Sequence, residues 1–403
     1  MHHHGGGHHP HHREQNQMHH HHHGGRKWPF LWGAQEQRIQ IAAIPVTPGL
    51  KAPTVRIPKN GFLSALMFRY VGNVNVTAAG TAGTPNILNL IQSYILSYNG
   101  GFQYRSLDGD SLYMLDLTRN YGPDMVLGGP SYKNYNPASA TNQTVGFVVR
   151  DYISLNTQAN QDKYLLAAHA RNADVTMDIT FASQPNGTFV PIYGVGANTE
   201  SATVTGTLFV EGLYLLDPPS YAKFERPDLT RVQQIEIDYS FTQIVVGQNT
   251  ISLVPLNGPK YMQVLLKAYF NGVPDSQGYN SAISNFELKI NNGLDRLNMS
   301  SQAVAQENCN QLGRNQCGTV AAPNAAALPP GVYLFDFLND VGINNAVSIA
   351  GRNVISTERI ASLWLMPTVI NGTNLTANNM FKIVKRVDLP AVGGTNKLVS
   401  PQE

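Results

Sequence analysis

The segment Ala202–Thr230 reads ATVTGTLFVEGLYLLDPPSYAKFERPDLT, and it decides both the fold class and the domain organisation. Apolar and polar residues alternate from Ala202 to Leu216, which is the two-residue period of a β-strand with one buried face. The alternation stops at Asp217-Pro218-Pro219, and residues 217–230 contain three prolines. Because proline cannot donate a hydrogen bond to a β ladder, the sequence predicts a long strand followed by a linker between two domains.

Short strand patterns broken by turns occur on both sides of this linker. Both alternating positions of Leu63–Val71 are apolar, which predicts a strand buried on two sides. Asn99-Gly100 is one of seven Asn-Gly pairs, a dipeptide that favours tight hairpin turns. The other predicted strands are Asn86–Tyr98, Val145–Tyr152, Ala173–Phe181, Ile235–Val246, Thr250–Leu256, Tyr261–Asn271, Ala282–Ile290, Val332–Phe337 and Ala361–Val369. Many short strands in two similar halves predict an all-β chain of two jelly rolls or two β-sandwiches, between which composition does not decide.

One segment departs from the strand pattern. Asn291–Cys309 (NNGLDRLNMSSQAVAQENC) places Leu294, Leu297 and Val304 loosely at helical spacing. We therefore expect a helix over this segment.

The charge content argues against binding to nucleic acid. Charged residues make up 13 % of the 403 residues, about half of the ~25 % usual for a globular domain. The formal net charge is +2, and Arg13, Glu14, Arg26 and Lys27 alone supply that excess. The body after residue 27 is therefore neutral, whereas a large phosphate-binding surface needs clustered lysine and arginine. We expect no specific nucleic-acid partner.

Residues 1–27 form a histidine- and glycine-rich tail that holds twelve of the thirteen histidines. It has too few apolar residues to build a core, so we expect it to be flexible. Three interpretations stay open: a purification artefact, a binder of Zn²⁺ or Ni²⁺, or a polycation that charges near pH ~6.5 and meets anionic lipid or nucleic acid. Trp28, Pro29, Phe30, Leu31 and Trp32 follow, and we expect them to anchor the tail to the body or to a neighbouring subunit. Residues 391–403 are expected to form a C-terminal tail.

The chain lacks the sequence signs of a membrane segment or a secreted protein. No stretch approaches the ~20 apolar residues that a membrane-spanning helix needs, and the polar N-terminus has no signal-peptide core.

The motifs of common catalytic and metal sites are missing as well. There is no GxxxxGK[ST] and no HExxH, and the Gly194 and Gly196 pair lacks the third glycine of a dinucleotide fingerprint. His169 is the one histidine outside the tail, and we expect it to be structural. The two cysteines are Cys309 and Cys317. We expect two free thiols, and a disulfide between them is the alternative.

Two pairs of acidic residues are candidates for a metal site or a catalytic site. Asp108 and Asp110 in SLDGDS lack the further ligands of a calcium loop, so they predict a polar hairpin turn. Asp336 and Asp340 resemble the paired carboxylates of a glycosidase, but nothing places them opposite a sugar. The sequence therefore predicts no catalytic residues, no metal site and no cofactor.

The order and spacing of the strands resemble those of the major capsid proteins of tectiviruses, tailless bacteriophages with an internal membrane. The resemblance covers roughly residues 38–390, and it lies in order, spacing and length and not in one motif. It implies two eight-stranded jelly rolls side by side, with residues 28–216 and 231–390 forming one each. The segments that carry it are Val55–Thr81, Asn86–Leu115, Thr144–Leu155, Asp174–Ser183, Ala202–Pro219, Pro329–Phe337 and Arg359–Pro367.

The same resemblance implies a function and a set of partners. A homotrimer with a pseudo-hexagonal outline would tile an icosahedral shell around a membrane and contact neighbouring capsomers, penton and minor capsid proteins, and lipid through the tail. The location would be the virion, after assembly in the host cytoplasm. Two other classes stay open: a virion spike or other carbohydrate- or receptor-binding β-sandwich protein, and a β-sandwich hydrolase.

Overall fold

A computed structural model describes most of the chain after residue 27. The described residues are 28, 30–78, 86–119, 132–136, 138–153, 165–168, 174–183, 201–227, 229, 231–240, 244–253, 260–270, 273–274, 282–291, 293–311, 331–337, 355–357, 360–370 and 379–390. They hold two α-helices, two short 3-10 helices and 21 strands.

The first half, up to residue 216, contains ten strands and one α-helix among the described residues. The 3-10 helices are Phe30–Trp32 and Ile87–Leu90, and the α-helix is α1 (Gly109–Arg119). The strands are β1 (Gln35–Pro45), β2 (Val55–Arg56), β3 (Phe62–Ala78), β4 (Ile91–Tyr98), β5 (Phe102–Leu107), β6 (Tyr132–Lys133), β7 (Asn142–Tyr152), β8 (Leu166–Ala167), β9 (Val175–Phe181) and β10 (Ser201–Leu216).

The second half begins at residue 231 and is built in the same way. Its α-helix is α2 (Ser301–Gln311). The strands are β11 (Arg231–Ser240), β12 (Gly247–Gln248), β13 (Ile251–Ser252), β14 (Lys260–Phe270), β15 (Val273–Pro274), β16 (Ile283–Ile290), β17 (Leu294–Ser300), β18 (Val332–Asp336), β19 (Ile355–Ser356), β20 (Leu363–Val369) and β21 (Met380–Pro390).

Each half is a jelly roll, in which two four-stranded sheets pack face to face around one core. In the first half the strand orders are β1-β10-β3-β7 and β5-β4-β9-β2, with β6 and β8 added to the first sheet. In the second half they are β11-β21-β14-β18 and β17-β16-β20-β13, with β12 also paired to β20. Phe68 on β3, Tyr94 on β4 and Leu208 on β10 meet in the first core, while Leu266 and Phe286 meet in the second.

One sheet passes from the first half into the second. The edge strand β5 pairs in parallel with the edge strand β11, with Arg105 opposite Ile235 and Ser106 opposite Glu236. This pairing merges strands of both halves into a ten-stranded sheet. The chain itself forms no strand between Leu216 and Arg231 in the part that is described, so the halves are separate along the chain but joined in space.

The double jelly-roll fold predicted from the sequence is confirmed, and the differences have physical causes. The predicted helix Asn291–Cys309 is wrong in its first part, because residues 294–300 pair with β16 as β17 before α2 begins. Helix α1 was not predicted at all. Leu63 and Leu66 are buried as expected, but Val71 is 47 % exposed, so the two-sided burial of β3 is incomplete in a single chain.

Two facing glycines allow β10 and β3 to pair closely. Gly206 lies opposite Gly72 and has a φ of +147°, where an L side chain is strained. A Cβ on Gly206 would lie 2.5 Å from the carbonyl oxygen of Val71 and 2.9 Å from the ring of Tyr70. The Tyr70 hydroxyl crosses this position and donates to the carbonyl oxygen of Thr205 at 2.9 Å.

We predict that Gly206→Ala lowers the free energy of unfolding by about 2–4 kcal/mol, because both the backbone conformation and the space exclude a methyl group. Gly101→Ala is the matched control, since a Cβ there meets nothing within 4 Å. Urea unfolding of both variants measures the difference. Equal effects of the two substitutions would contradict this account of the strand pair.

Candidate functional site

Four buried charged side chains meet where α1 of the first half contacts the sheet of the second half. The Lys267 ammonium lies 2.6 Å from Asp110 Oδ2, and the Lys382 ammonium lies 2.8 Å from Asp108 Oδ2 and 3.3 Å from Asp110 Oδ2. The Tyr269 hydroxyl donates to Asp110 Oδ2 at 3.1 Å. All four charged residues are at most 5 % exposed. We call this group the charge cluster.

The first turn of α1 positions the two carboxylates. Asp108 accepts a hydrogen bond from the backbone N–H of Ser111 at 2.7 Å, as a helix N-cap does. Asn86 donates its side-chain amide to Asp110 Oδ1 at 3.1 Å. The partial positive charge at the start of a helix also favours carboxylates at this position. Contacts within the first half therefore hold both aspartates in place, in addition to their contacts with the lysines.

Burial and the adjacent charges set the protonation of the charge cluster. Burial raises the pKa of Asp110, but the ammonium groups of Lys267 and Lys382 lower it by a larger amount. The pKa of Asp110 therefore lies below its ordinary value. Burial, together with the negative charge of Asp110, raises the pKa of Tyr269 well above its ordinary value. At neutral pH Asp110 is therefore a carboxylate, and the neutral hydroxyl of Tyr269 donates a hydrogen bond to it.

A second buried contact crosses the β5–β11 pair. The Arg105 Nε donates to Asp151 Oδ1 at 2.9 Å and to Oδ2 at 3.0 Å, and Arg105 Nη1 donates to the carbonyl oxygen of Gln233 on β11 at 2.5 Å. The Tyr94 hydroxyl also donates to Asp151 Oδ2, at 2.9 Å. Arg105 is 1 % exposed, so one guanidinium links the first core, β7 and the second half.

Apolar packing continues across the same joint. The buried cluster of the first half includes the second-half residues Val232, Ile235, Leu265, Leu334 and Val384. Alternate residues of β14 and β21 face the second core, so these strands are buried on both faces. Apolar residues of the second half thus extend the first core across the joint.

This chemistry fits a structural joint between the two halves. Each carboxylate of the charge cluster contacts an ammonium group, and the cluster contains no histidine, cysteine or serine hydroxyl arranged as a nucleophile with a base. Over the described residues, no group of three or more histidine, cysteine, aspartate or glutamate side chains is arranged to hold a metal ion. No described helix is both long enough and apolar enough to cross a membrane.

The prediction of a polar hairpin turn at Asp108 and Asp110 is wrong. Both residues are buried at the start of α1, because lysines more than 150 residues away in the sequence neutralise them. Asp336 lies at the end of β18, whereas Asp340 is outside the described residues. The side chains of His169, Cys309 and Cys317, and residues Gly194 and Gly196, also lie outside the described part.

The lysines and the arginine of the joint were not predicted from the sequence. Lys267 interrupts the apolar run YMQVLLKAYF, and Lys382 lies in MFKIVKRV. A lysine inside a strand that is apolar on both faces is rarely buried unless it is paired. That pattern was the available signal that a carboxylate from elsewhere would meet these strands.

The aromatic residues after the tail separate into buried and exposed ones. Phe30 is fully buried against Phe62, Leu165 and Leu229, so it anchors the start of the body. Trp28 and Trp32 stack with ring centroids 5.1 Å apart but are 55 % and 68 % exposed. The prediction of an anchor therefore holds for Phe30.

Comparisons of the sequence gave no match to a family model and none to a curated protein. Comparison of the structure gave matches over almost the full chain. The STIV major capsid protein of Sulfolobus turreted icosahedral virus is 15 % identical, with a TM-score of 0.59, and the match covers 89 % of this chain and 97 % of that one. PBCV-1 VP54 is 15 % identical, with a TM-score of 0.60 and coverages of 91 % and 96 %. The major capsid protein P2 of bacteriophage PM2 is 11 % identical, with a TM-score of 0.51 and coverages of 89 % and 99 %. These matches establish a double jelly roll.

We predict that Lys382→Met lowers the free energy of unfolding by about 3–5 kcal/mol, because the substitution removes an ammonium group that two buried carboxylates contact. Removing the carboxylate as well, in Lys382→Met/Asp108→Asn, should recover much of the loss. Arg56→Gln is the control: Arg56 and Asp174 are 82 % and 53 % exposed and 4.0 Å apart, so its effect should stay below about 1 kcal/mol. Urea unfolding at pH 7 measures all three. A loss for Lys382→Met as small as that of the control would contradict the importance of the cluster.

We also predict a specific acid sensitivity of the joint. The folded-state pKa of Asp110 is below its unfolded value of ~3.9, so its contribution to stability is complete above that pH and is lost as the pH falls towards the folded-state pKa. The free energy of unfolding of the wild-type protein should therefore fall more steeply below pH ~4 than that of Asp110→Asn/Lys267→Met. Urea titrations at several pH values measure both slopes, and parallel curves would contradict the assignment.

Proposed function

We propose that this chain is a major capsid protein, the building block of an icosahedral viral shell. The observation that carries the proposal is the extent of the structural matches: nearly all of this chain aligns with nearly all of the STIV and PM2 major capsid proteins. A shared single barrel would match a part of either chain. Here the match extends over both jelly rolls.

The internal construction of the chain supports the same role. A shell protein works by shape, so its two barrels must keep a fixed orientation. The charge cluster, the Arg105 contact and the apolar packing of second-half residues against the first core all lie between the two jelly rolls. Five deeply buried charged residues, Arg105, Asp108, Asp110, Lys267 and Lys382, thus join the halves. We propose that the chain has no enzymatic activity.

We further propose that the chain forms a homotrimer with a pseudo-hexagonal outline. Three chains with two similar barrels each give six barrels around a threefold axis, which suits sixfold neighbours in a lattice. In this proposal residues 28–216 and 231–390 form the two barrels, residues 217–230 connect them, and the trimers tile a shell around an internal membrane. Neighbouring capsomers, penton and minor capsid proteins are the expected partners in the virion, after assembly in the host cytoplasm. Residues 1–27 are proposed to face lipid.

One observation favours a second candidate, a carbohydrate- or receptor-binding surface protein of the virion. The stacked rings of Trp28 and Trp32 are large exposed aromatic surfaces, and such surfaces occur at binding sites. The pair lies against the linker, where the backbone N–H of Trp28 donates to the carbonyl oxygen of Lys223 at 2.8 Å. Glycan binding that is lost in Trp32→Ala would favour this candidate.

We predict that the purified protein forms particles of three times the 44.0 kDa chain mass, with a six-sided outline. Light scattering after size exclusion measures the mass, and negative-stain microscopy shows the outline. Shell fragments at high protein concentration would add support. A stable monomer at every concentration, with no larger particles in the microscope, would contradict the capsid proposal.

A further inference from the structure

The two halves repeat one structural unit, with a constant separation in the sequence. Strand β4, strand β5 and helix α1 begin at residues 91, 102 and 109, and β16, β17 and α2 begin at 283, 294 and 301, which is 192 residues later in each case. The turns between the strands repeat as well, because Asn99 and Asn291 both have a positive φ, of 48° and 52°. Each residue of this unit in the first half therefore has an equivalent residue in the second half, 192 positions later in the sequence.

Side-chain contacts confirm the equivalence of the two helices. Asp116 of α1 accepts a hydrogen bond from the backbone N–H of Arg150 on β7 at 2.9 Å. Asn308, 192 residues later on α2, accepts one from the backbone N–H of Leu334 on β18, also at 2.9 Å. Strands β7 and β18 occupy the same place in their sheets, so each helix is fixed to its own jelly roll by the same contact.

The first strands of the two halves are also equivalent. Strand β1 pairs with the last strand of its half, β10, and β11 pairs with the last strand of its half, β21. The sequence RIQI at residues 38–41 corresponds to QIEI at residues 234–237. Ile39 is therefore the counterpart of Ile235, and Gln40 is the counterpart of Glu236.

The joint inside the chain uses one edge of each half and leaves the equivalent edges unused. Strand β5 of the first half pairs with β11 of the second. Within the described residues, the equivalent of β5 is β17, which ends its sheet, and the equivalent of β11 is β1, which also ends its sheet. Each chain thus carries one edge of each type that no described strand covers.

Burial shows the same asymmetry. Residues 110–118 of α1 are all buried, because α1 lies between its own half and the second half. On α2, residues 302 and 306 are exposed and residues 303 and 307 are half-buried. Lys267 and Lys382 lie on the covered face of the second half, whereas the corresponding outer face of the first half carries Val71, which is 47 % exposed, and a half-buried Phe209 under the Arg69 guanidinium.

We propose that β1 and the outer face of the sheet β1-β10-β3-β7 bind β17 and α2 of a second copy of this chain, in a repeat of the joint between the two halves. The contact is heterologous, because one copy offers β1 and the other offers β17. Repetition of the same rotation closes a ring. The proposal rests on the capsid function proposed above and adds the surfaces, the strand pairing and its register.

The register of the new strand pair follows from the joint that the chain already contains. Arg105 lies opposite Ile235, so Leu297 should lie opposite Ile39 of the second copy; Ser106 lies opposite Glu236, so Asn298 should lie opposite Gln40. Neighbouring strands are about 4.8 Å apart, which is within the range that a disulfide bridges. Residues 298 and 40 are exposed in the single chain, so cysteines there leave the core unchanged.

The experiment combines two single-cysteine proteins. Asn298→Cys and Gln40→Cys are each prepared in the full chain with Cys309→Ser and Cys317→Ser, and they are mixed under mild oxidation. We expect a covalent dimer in the mixture and little in either protein alone, because each new disulfide needs one cysteine of each kind. The chain that carries both cysteines should instead give covalently closed rings on a non-reducing gel.

Matched variants give each outcome a clear meaning. Asn142→Cys replaces Gln40→Cys as the control, since residue 142 is an exposed strand position on β7, away from β1 in the same sheet; it should not cross-link. Arg296→Cys with Arg38→Cys tests the same register at a second pair, and thermal unfolding checks that each variant folds. Trimers that form without cross-links at either pair would overturn this interface and leave the capsid proposal intact. A protein that never self-associates would overturn both.

Discussion

The arrangement of the two halves depends on the burial of four charges between them. Taking a carboxylate or an ammonium group out of water costs several kcal/mol unless a partner of opposite charge is in contact. Asp108 and Asp110 come from the first half, and Lys267 and Lys382 come from the second, so neither half alone can pair these four charges. The geometry that pairs them is therefore favoured over any other orientation of the jelly rolls. A buried ion pair is weak evidence for high stability, but it is well suited to fixing one arrangement.

The same constraint explains the unusual burial of α1. A helix on the surface of a domain has one apolar face and one polar face. Helix α1 is buried on all sides from residue 110 to residue 118, and its acidic residues are the ones that reach the second half or β7. It has no polar face directed to water. The apolar and polar residues of its sequence, GDSLYMLDLTR, therefore do not show the 3.6-residue spacing by which a surface helix is recognised.

Most of the strands could be predicted from the sequence, but little of the joint between the two halves could. Ala173–Phe181 and Ala202–Leu216 were predicted within two residues of the observed strands, because period-2 alternation is a local property. The break at residues 217–230 likewise depends on local proline chemistry, although its role as a domain boundary stays a proposal. The partners of Asp110 lie 157 and 272 residues away, and no local pattern specifies which lysine meets which aspartate. The sequence shows only that lysines interrupt two apolar strands, which indicates that they are paired but does not identify their partners.

The joint within the chain and the proposed joint between copies differ in chemistry, and the difference is consistent with the times at which they would form. The counterparts of Asp108 and Asp110 on the α2 side, 192 residues later, are Ser300 and Gln302, and the counterpart of Arg105 is Leu297. The joint within the chain forms once, during folding, when the carboxylates and lysines are desolvated together. A joint between copies must form from surfaces that are already folded and hydrated, and fixed charges there would first have to lose their water. Replacing them with neutral side chains lowers that cost and leaves specificity to the register of the strands. The chain thus places these buried charges where they are covered permanently, and their counterparts Leu297, Ser300 and Gln302 are neutral.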